Sequence, residues 1–242
     1  PAATRDHTER LLAVMGADIA VAPHEIRVRP GALRPIERFA VPGDFSAAFF
    51  FLAAGATLPG CDVALTGVGV NPTRTAALAV LRRMGASIDS AREREVHGEP
   101  VADIIVRGGA GLTPFEIGHD VVPALIDEIP ALCAVAASAH GTSSVRGAAE
   151  LRGKESDRIA TTAALLRAFG VRVDEHPDGI DVHGPARLGA PAAIDTHGDH
   201  RIGMSAAVLA CAARAPIVID GARCIATSFP GFDAAWRKAF GG

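Results

Sequence analysis

Neither sign of charge dominates this sequence. Its 242 residues carry 24 Lys and Arg against 27 Asp and Glu, a formal net charge of -3, which gives no general attraction to nucleic acid or acidic membranes. Any anion must therefore be gripped by a local constellation. Cysteine is scarce: the 4 residues Cys61, Cys133, Cys211 and Cys224 are scattered without a C-x-x-C pair. That sets aside a disulfide framework or a cysteine metal site, and reduced, buried thiols in a cytoplasmic setting are expected. Long apolar runs are missing as well. AAFFFLAAGATLPG and GMSAAVLACAARAPIVI are too short or too interrupted to read as membrane spans, and no signal peptide is visible. The fragment GVGVNP lacks the third glycine and the lysine of a phosphate-binding loop, which removes dinucleotide and P-loop use. What remains is a globular chain, 49% hydrophobic, able to bury a sizeable core in one or two domains.

The sequence does repeat itself. A helical pattern closes on a bulky residue and a glycine four times, at Met15-Gly16, Met84-Gly85, Phe169-Gly170 and Phe240-Gly241, each glycine suited to a left-handed helix cap. The stretch after each of the first three copies alternates in a way that predicts two strands around a turn, most clearly at HPDG. Ahead of the last three copies a second helix is predicted after Asp44, Asp127 and Asp199. A short β-like run (CDVALTGVG, GTSSVRGAA or APIVIDGAR) separates the two helices. The unit is thus helix, strand, helix, strand pair. Three near-complete copies fill residues 43–242, and residues 1–42 hold the tail of an earlier one, with a domain boundary near Pro42 and Gly43.

Charge concentrates where these helices start. Counting ~100° per residue through ELRGKESDR as one continuous helix puts Lys154, Glu155 and Arg158 on the side of Ile159, Leu165, Leu166 and Phe169, with Ser156, Asp157 and Arg167 pointing elsewhere. A cluster along a solvated edge, or a helix beginning only at Ser156, are the plainer alternatives. Two cations beside one carboxylate at a helix start leave a positive field that suits a bound anion. In DTHGDHRIGMSAAV, Asp199 is a candidate N-cap, and Arg201, next to His200 in the first turn, can offer its fork to a carboxylate or phosphate. His197 and His200 lack a third ligand at suitable spacing, so no metal is expected. Asp127 in LIDEIP reads as a helix-start carboxylate or a functional acid, and Asp44 as a cap.

The stretches VPGDFSAAFFFLAAG, LIDEIPALCAVAASAHGT, ELRGKESDRI, GDHRIGMSAAV and ATSFPGF follow one another in an order and spacing that resembles the enolpyruvyl transferases that make 5-enolpyruvylshikimate 3-phosphate. The resemblance covers essentially the whole chain, and K-E-S-D-R together with D-H-R makes it specific. It implies an α/β fold of two lobes, each built from three βαβαββ units as an inverse α/β barrel. Residues 43–242 would be most of one lobe and residues 1–42 the tail of the other, in a C-terminal portion whose partner is the N-terminal half of the same polypeptide. The implied reaction moves the enolpyruvyl group of phosphoenolpyruvate to the 5-hydroxyl of shikimate 3-phosphate, in the route to aromatic amino acids that the herbicide glyphosate targets. No metal or organic cofactor, nucleic acid or membrane is expected to take part, and at full length the enzyme would be a cytoplasmic monomer.

Residue by residue, the resemblance implies that Asp127 binds and deprotonates the 5-hydroxyl. Glu155 would exchange the proton at C3 of phosphoenolpyruvate, and Lys154 would lie near the hydroxyl and bridging oxygen. Arg158, Arg201 and His200 resemble the phosphoenolpyruvate clamp; Thr4 and Arg5 correspond to residues near the phosphate of shikimate 3-phosphate. Two departures resemble a divergent subgroup: Thr227 stands where many relatives have Lys, and Glu150 where some carry Asn. The alternatives are the sister enzyme acting on UDP-N-acetylglucosamine and a non-catalytic domain of the same fold. Alone, the fragment is expected to be inactive.

Overall fold

The computed structural model describes residues 5–109 and 111–241. It opens with α1 (His7–Val14) and an antiparallel hairpin of β1 (Asp18–Ala22) and β2 (Glu25–Arg29). The first repeat unit follows as α2 (Phe45–Thr57), β3 (Asp62–Gly69), α3 (Ala76–Arg83), β4 (Ser87–Val96) and β5 (Glu99–Arg107). The second runs β6 (Glu116–Ile117), α4 (Ile129–Ala136), β7 (Gly141–Val145), α5 (Arg158–Ala168), β8 (Arg172–His176) and β9 (Gly179–Gly184). The third comprises β10 (Ala193–Asp195), α6 (His200–Ala213), β11 (Val218–Asp220) and α7 (Phe232–Phe240).

The layers are inside out. Helices α2, α4 and α6 pack on one another at the centre, and the sheets β3-β5-β4, β6-β7-β9-β8 and β10-β11 lie around them. Composition explains this. FSAAFFFLAAGAT and IPALCAVA are apolar nearly all round, every residue of α4 is buried, and a helix with no polar face has nowhere to go but the core. Close approach of α2 to β5 depends on Gly55, where a Cβ would meet Val106 Cγ1 at 2.6 Å.

Each unit also begins with a short strand that periodicity did not reveal. β6 pairs in parallel with β7, β10 with β11, and Gly43 makes a single parallel bridge to Val68 of β3. Runs of one to three residues are too short to alternate visibly. The helix-ending glycines Gly16, Gly85 and Gly170 are left-handed, at φ 81°, 99° and 83°. Gly241 is not: its φ is -90°, because its N–H continues the α7 ladder to the Arg237 carbonyl at 2.8 Å. All four thiols are free, but only Cys133 is fully buried, its thiol pushed up to about 12 by burial; the other three are half-buried, since each sits where an element meets the surface. Among the described residues no helix is long and apolar enough to cross a membrane.

Candidate active site

The starts of α2 to α6 converge on one cluster, and Arg158 is its centre. Arg158 is the largest of the fully buried side chains, 1% exposed, so the solvated-edge alternative does not hold for it. Its Nε donates to Asp199 Oδ2 at 2.8 Å, and Asp199 is itself 0% exposed. Nη2 reaches Glu155 Oε2 at 2.5 Å and Nη1 lies 3.5 Å from Asp127 Oδ1. One guanidinium thus ties together three carboxylates from three parts of the chain.

The local helix differs from a continuous one through ELRGKESDR. A 3-10 turn, Ala149–Gly153, ends before Lys154; Asp157 then caps α5 by accepting from the Ala160 N–H at 3.0 Å. Capping satisfies donors that a continuous helix would have bonded internally, so Lys154 and Glu155 lie in the bend ahead of α5. Ser156 does not point away: its hydroxyl donates to Asp199 Oδ2 at 2.9 Å. Asp199 does cap α6, accepting from the Arg201 N–H at 2.9 Å, while also balancing Arg158. Asp44 caps α2 through the N–H groups of Ser46 and Ala47.

Asp127 caps nothing. It sits in the 3-10 turn Ile126–Glu128 ahead of α4, ringed by four arginines. Arg5 Nη2 lies 2.5 Å from its Oδ2, Arg201 Nη2 3.6 Å and Arg74 Nη1 3.7 Å, with Arg158 on Oδ1. Arg201 Nη1 also donates to the Asp127 carbonyl at 2.9 Å. Burial alone would push the Asp127 carboxyl up; Arg201, Arg5, Arg74 and Arg158 together outweigh it and hold it below the usual carboxylate range. Asp199 is likewise held low, burial being outweighed by Arg158.

A family model described as EPSP synthase (3-phosphoshikimate 1-carboxyvinyltransferase) matches residues 1–236. A 3-phosphoshikimate 1-carboxyvinyltransferase of Citrifermentans bemidjiense is 48% identical over 96% of this chain and 54% of its own length. One of Xanthomonas campestris pv. campestris is 48% identical over 97% of this chain and 53% of its own. The chain belongs to the EPSP synthase family. A solved EPSP synthase from Acinetobacter baumannii superposes with a TM-score of 0.92 at 40% identity, covering 99% of this chain and 55% of that one. The enolpyruvyl transferase NikO from Streptomyces tendae, 22% identical with a TM-score of 0.74, shares the fold. The chain therefore spans about half the length of the curated EPSP synthases it matches.

Of the residues picked from the EPSP synthase resemblance, Asp127, Glu155, Arg158, Arg201 and Arg5 come together here. His200 Nδ1 stands 3.8 Å from Glu155 Oε1, and burial followed by Arg201 keeps its imidazole below its ordinary value. Lys154 pairs instead with exposed Glu150. Thr4 lies outside the described residues. Thr227 turns its hydroxyl onto the Cys224 carbonyl at 2.7 Å. Sequence reasoning missed Arg74, one of the four arginines of the ring, and Ser46 and buried Glu128, which back it. The pocket at Asp127 is closed, with a cavity volume of about 0 Å³ against the ~300–1,000 Å³ of typical ligand sites. Larger grooves of about 690 and 570 Å³ flank α7, away from these charges. Chemistry rather than volume locates the site, which here is drawn in on its own ion pairs.

The depressed carboxyls make stability depend on pH. Asp127 and Asp199 bind protons less readily folded than unfolded, so their contribution is complete above the ordinary aspartate value of about 3.8 and is lost as pH falls toward the lower folded values. In urea titrations of the full-length protein the midpoint should be level near neutral pH and fall steeply below ~4. Asp199→Asn should lower the midpoint at neutral pH yet make the acid loss shallower; an acid loss as steep as wild type would contradict the assignment.

Proposed function

We propose that this chain is part of an enzyme that transfers the enolpyruvyl group of phosphoenolpyruvate to the 5-hydroxyl of shikimate 3-phosphate, releasing phosphate. One observation carries the reading: Asp127 and Glu155 meet different nitrogens of the same buried guanidinium, Arg158, inside a ring of arginines at helix starts. In this reaction C3 of phosphoenolpyruvate gains a proton as the 5-oxygen attacks C2. The tetrahedral intermediate then loses a proton from C3 while the C2–O bond to phosphate breaks. Two proton-handling groups on separate sides of the reacting centre are needed, held in a field that accepts anions.

In this reading Asp127 takes the hydroxyl proton and Glu155 exchanges the proton at C3. Lys154 leaves Glu150 to meet the hydroxyl and bridging oxygen. Arg158 and Arg201, with His200 neutral at pH 7, hold phosphoenolpyruvate, and Arg5 lies by the phosphate of shikimate 3-phosphate. Arg201 Nε is buried with no hydrogen-bond partner among the described residues, a donor left over for a substrate oxygen. Asp127 as found is held below the usual carboxylate range, which weakens it as a base. Anionic substrates would share Arg5, Arg158 and Arg201, weaken their hold on Asp127 and raise its basicity at the moment of need. Residues 43–242 then form most of one lobe and residues 1–42 the end of another, in a cytoplasmic monomer.

The test is deuterium exchange from solvent into C3 of phosphoenolpyruvate by the full-length protein, with each candidate acceptor. Shikimate 3-phosphate should support exchange and product formation, and UDP-N-acetylglucosamine neither. Exchange driven by the nucleotide sugar instead would assign the chain to the sister reaction. The 242-residue chain alone is expected to show little or no turnover.

A further inference from the structure

Beside Asp127 lies a buried carboxyl to which the reaction gives no work. Glu128 is 2% exposed, and burial pushes its carboxyl up against the opposing hydrogen bond from Ser46. A carboxyl so placed is costly unless its oxygens are engaged. Ser46 Oγ donates to Glu128 Oε1 at 2.5 Å, and Arg74 Nη2 donates to Ser46 Oγ at 2.6 Å while standing 3.9 Å from Glu128 Oε1. The other end of that guanidinium, Nη1, is 3.7 Å from Asp127 Oδ2.

Arg74 thus faces Oδ2 together with Arg5 and Arg201, and Arg5 and Arg74 are held differently. Arg5 has a side chain 48% exposed and reaches in from ahead of α1, whereas Arg74 is 15% exposed and anchored from behind by groups at the starts of α2 and α4. Arg5 is free to change partners when an anion arrives. Arg74 is not.

We propose that Arg74, seated by Ser46 and Glu128, is a positioning residue that fixes the Asp127 carboxylate for the reaction. The inference rests on the role proposed for Asp127. A guanidinium clamped on one side presents a charge of fixed direction on the other, which is what a preorganised site requires. The groups facing Asp127 are Arg5, Arg74 ahead of α3, Arg158 of α5 and Arg201 of α6, with Glu128 adjoining. Removing Arg74 takes one cation from that set, so the acid limb of kcat, set by Asp127 losing its proton, must move toward neutral pH.

The experiment uses full-length protein carrying Arg74→Met, Arg74→Lys or Ser46→Ala, with Asp127→Asn for reference. Arg74→Met should lower kcat by about 10-fold with KM for both substrates within about two-fold, and shift the acid limb upward. Arg74→Lys should restore part of both, and Ser46→Ala should move them the same way by less. A folded Arg74→Met enzyme whose acid limb stays in place overturns the proposal, whether or not kcat falls, because a structural defect alone leaves that limb unmoved. If Arg74→Met does not fold, Ser46→Ala decides by the same limb. Full activity in Asp127→Asn would defeat the role of Asp127 itself; an inactive Asp127→Asn beside an unchanged Arg74→Met defeats only the positioning.

Discussion

Replacing Arg158 with methionine in the full-length protein is expected to lower its unfolding free energy by about 3–5 kcal/mol, the usual cost of leaving a buried charge without its partner. Methionine fills much of the same volume, so the loss is electrostatic rather than a cavity. Asp199, 0% exposed, would keep the bonds from the Ser156 hydroxyl and the Arg201 N–H but lose the guanidinium 2.8 Å from its Oδ2. Asp127 and Glu155 would lose their common neighbour at the same time. Urea unfolding measures the effect. Two controls sharpen it. Arg237→Met breaks an exposed pair with Asp233 on α7 and should leave the midpoint unchanged within error. Adding Asp199→Leu to Arg158→Met should recover part of the loss, since removing both partners strands no charge. A loss below ~1 kcal/mol for Arg158→Met would mean that the buried pairs do not hold the helix starts together.

The repeat was legible because its parts obey local rules. Apolar helices, alternating hairpins and helix-ending glycines recur, and α2, α4 and α6 are central because their sequences leave no polar face. The start of α5 was ambiguous, since K-E and S-D are both good helix-start residues; Asp157 prevailed through its bond to Ala160. Burial of Glu128 was not legible beside Asp127, because two adjacent acids look alike in sequence and only Ser46, distant in the chain, separates their fates. Arg74 left a trace that went unread. In T-R-D, T-R-T and D-R-I, the residues Arg5, Arg74 and Arg158 stand 10, 10 and 11 places ahead of Met15, Met84 and Phe169. The repetition that revealed the fold also carries three of the four arginines around Asp127.

Asp127→Asn and Glu155→Gln should each reduce turnover of the full-length enzyme by about 10²–10³ or more, and they should fail in different ways. Asparagine keeps the shape of Asp127 but removes its charge from among four arginines, leaving a more positive site. The enzyme should then bind its anionic substrates as tightly as wild type or more so, with kcat collapsed. Glutamine at position 155 leaves that ring intact and removes the group half-exposed beside Arg158 and His200. Shikimate 3-phosphate should still bind, measurable by calorimetry, while deuterium exchange into C3 of phosphoenolpyruvate disappears. Groups that serve one reaction are not additive, so the double variant should be little slower than the worse single one. Losses that multiply in the double variant would instead mark two independent sites, and the common guanidinium of Arg158 would then be a structural tie with no part in joining two acids to one chemistry.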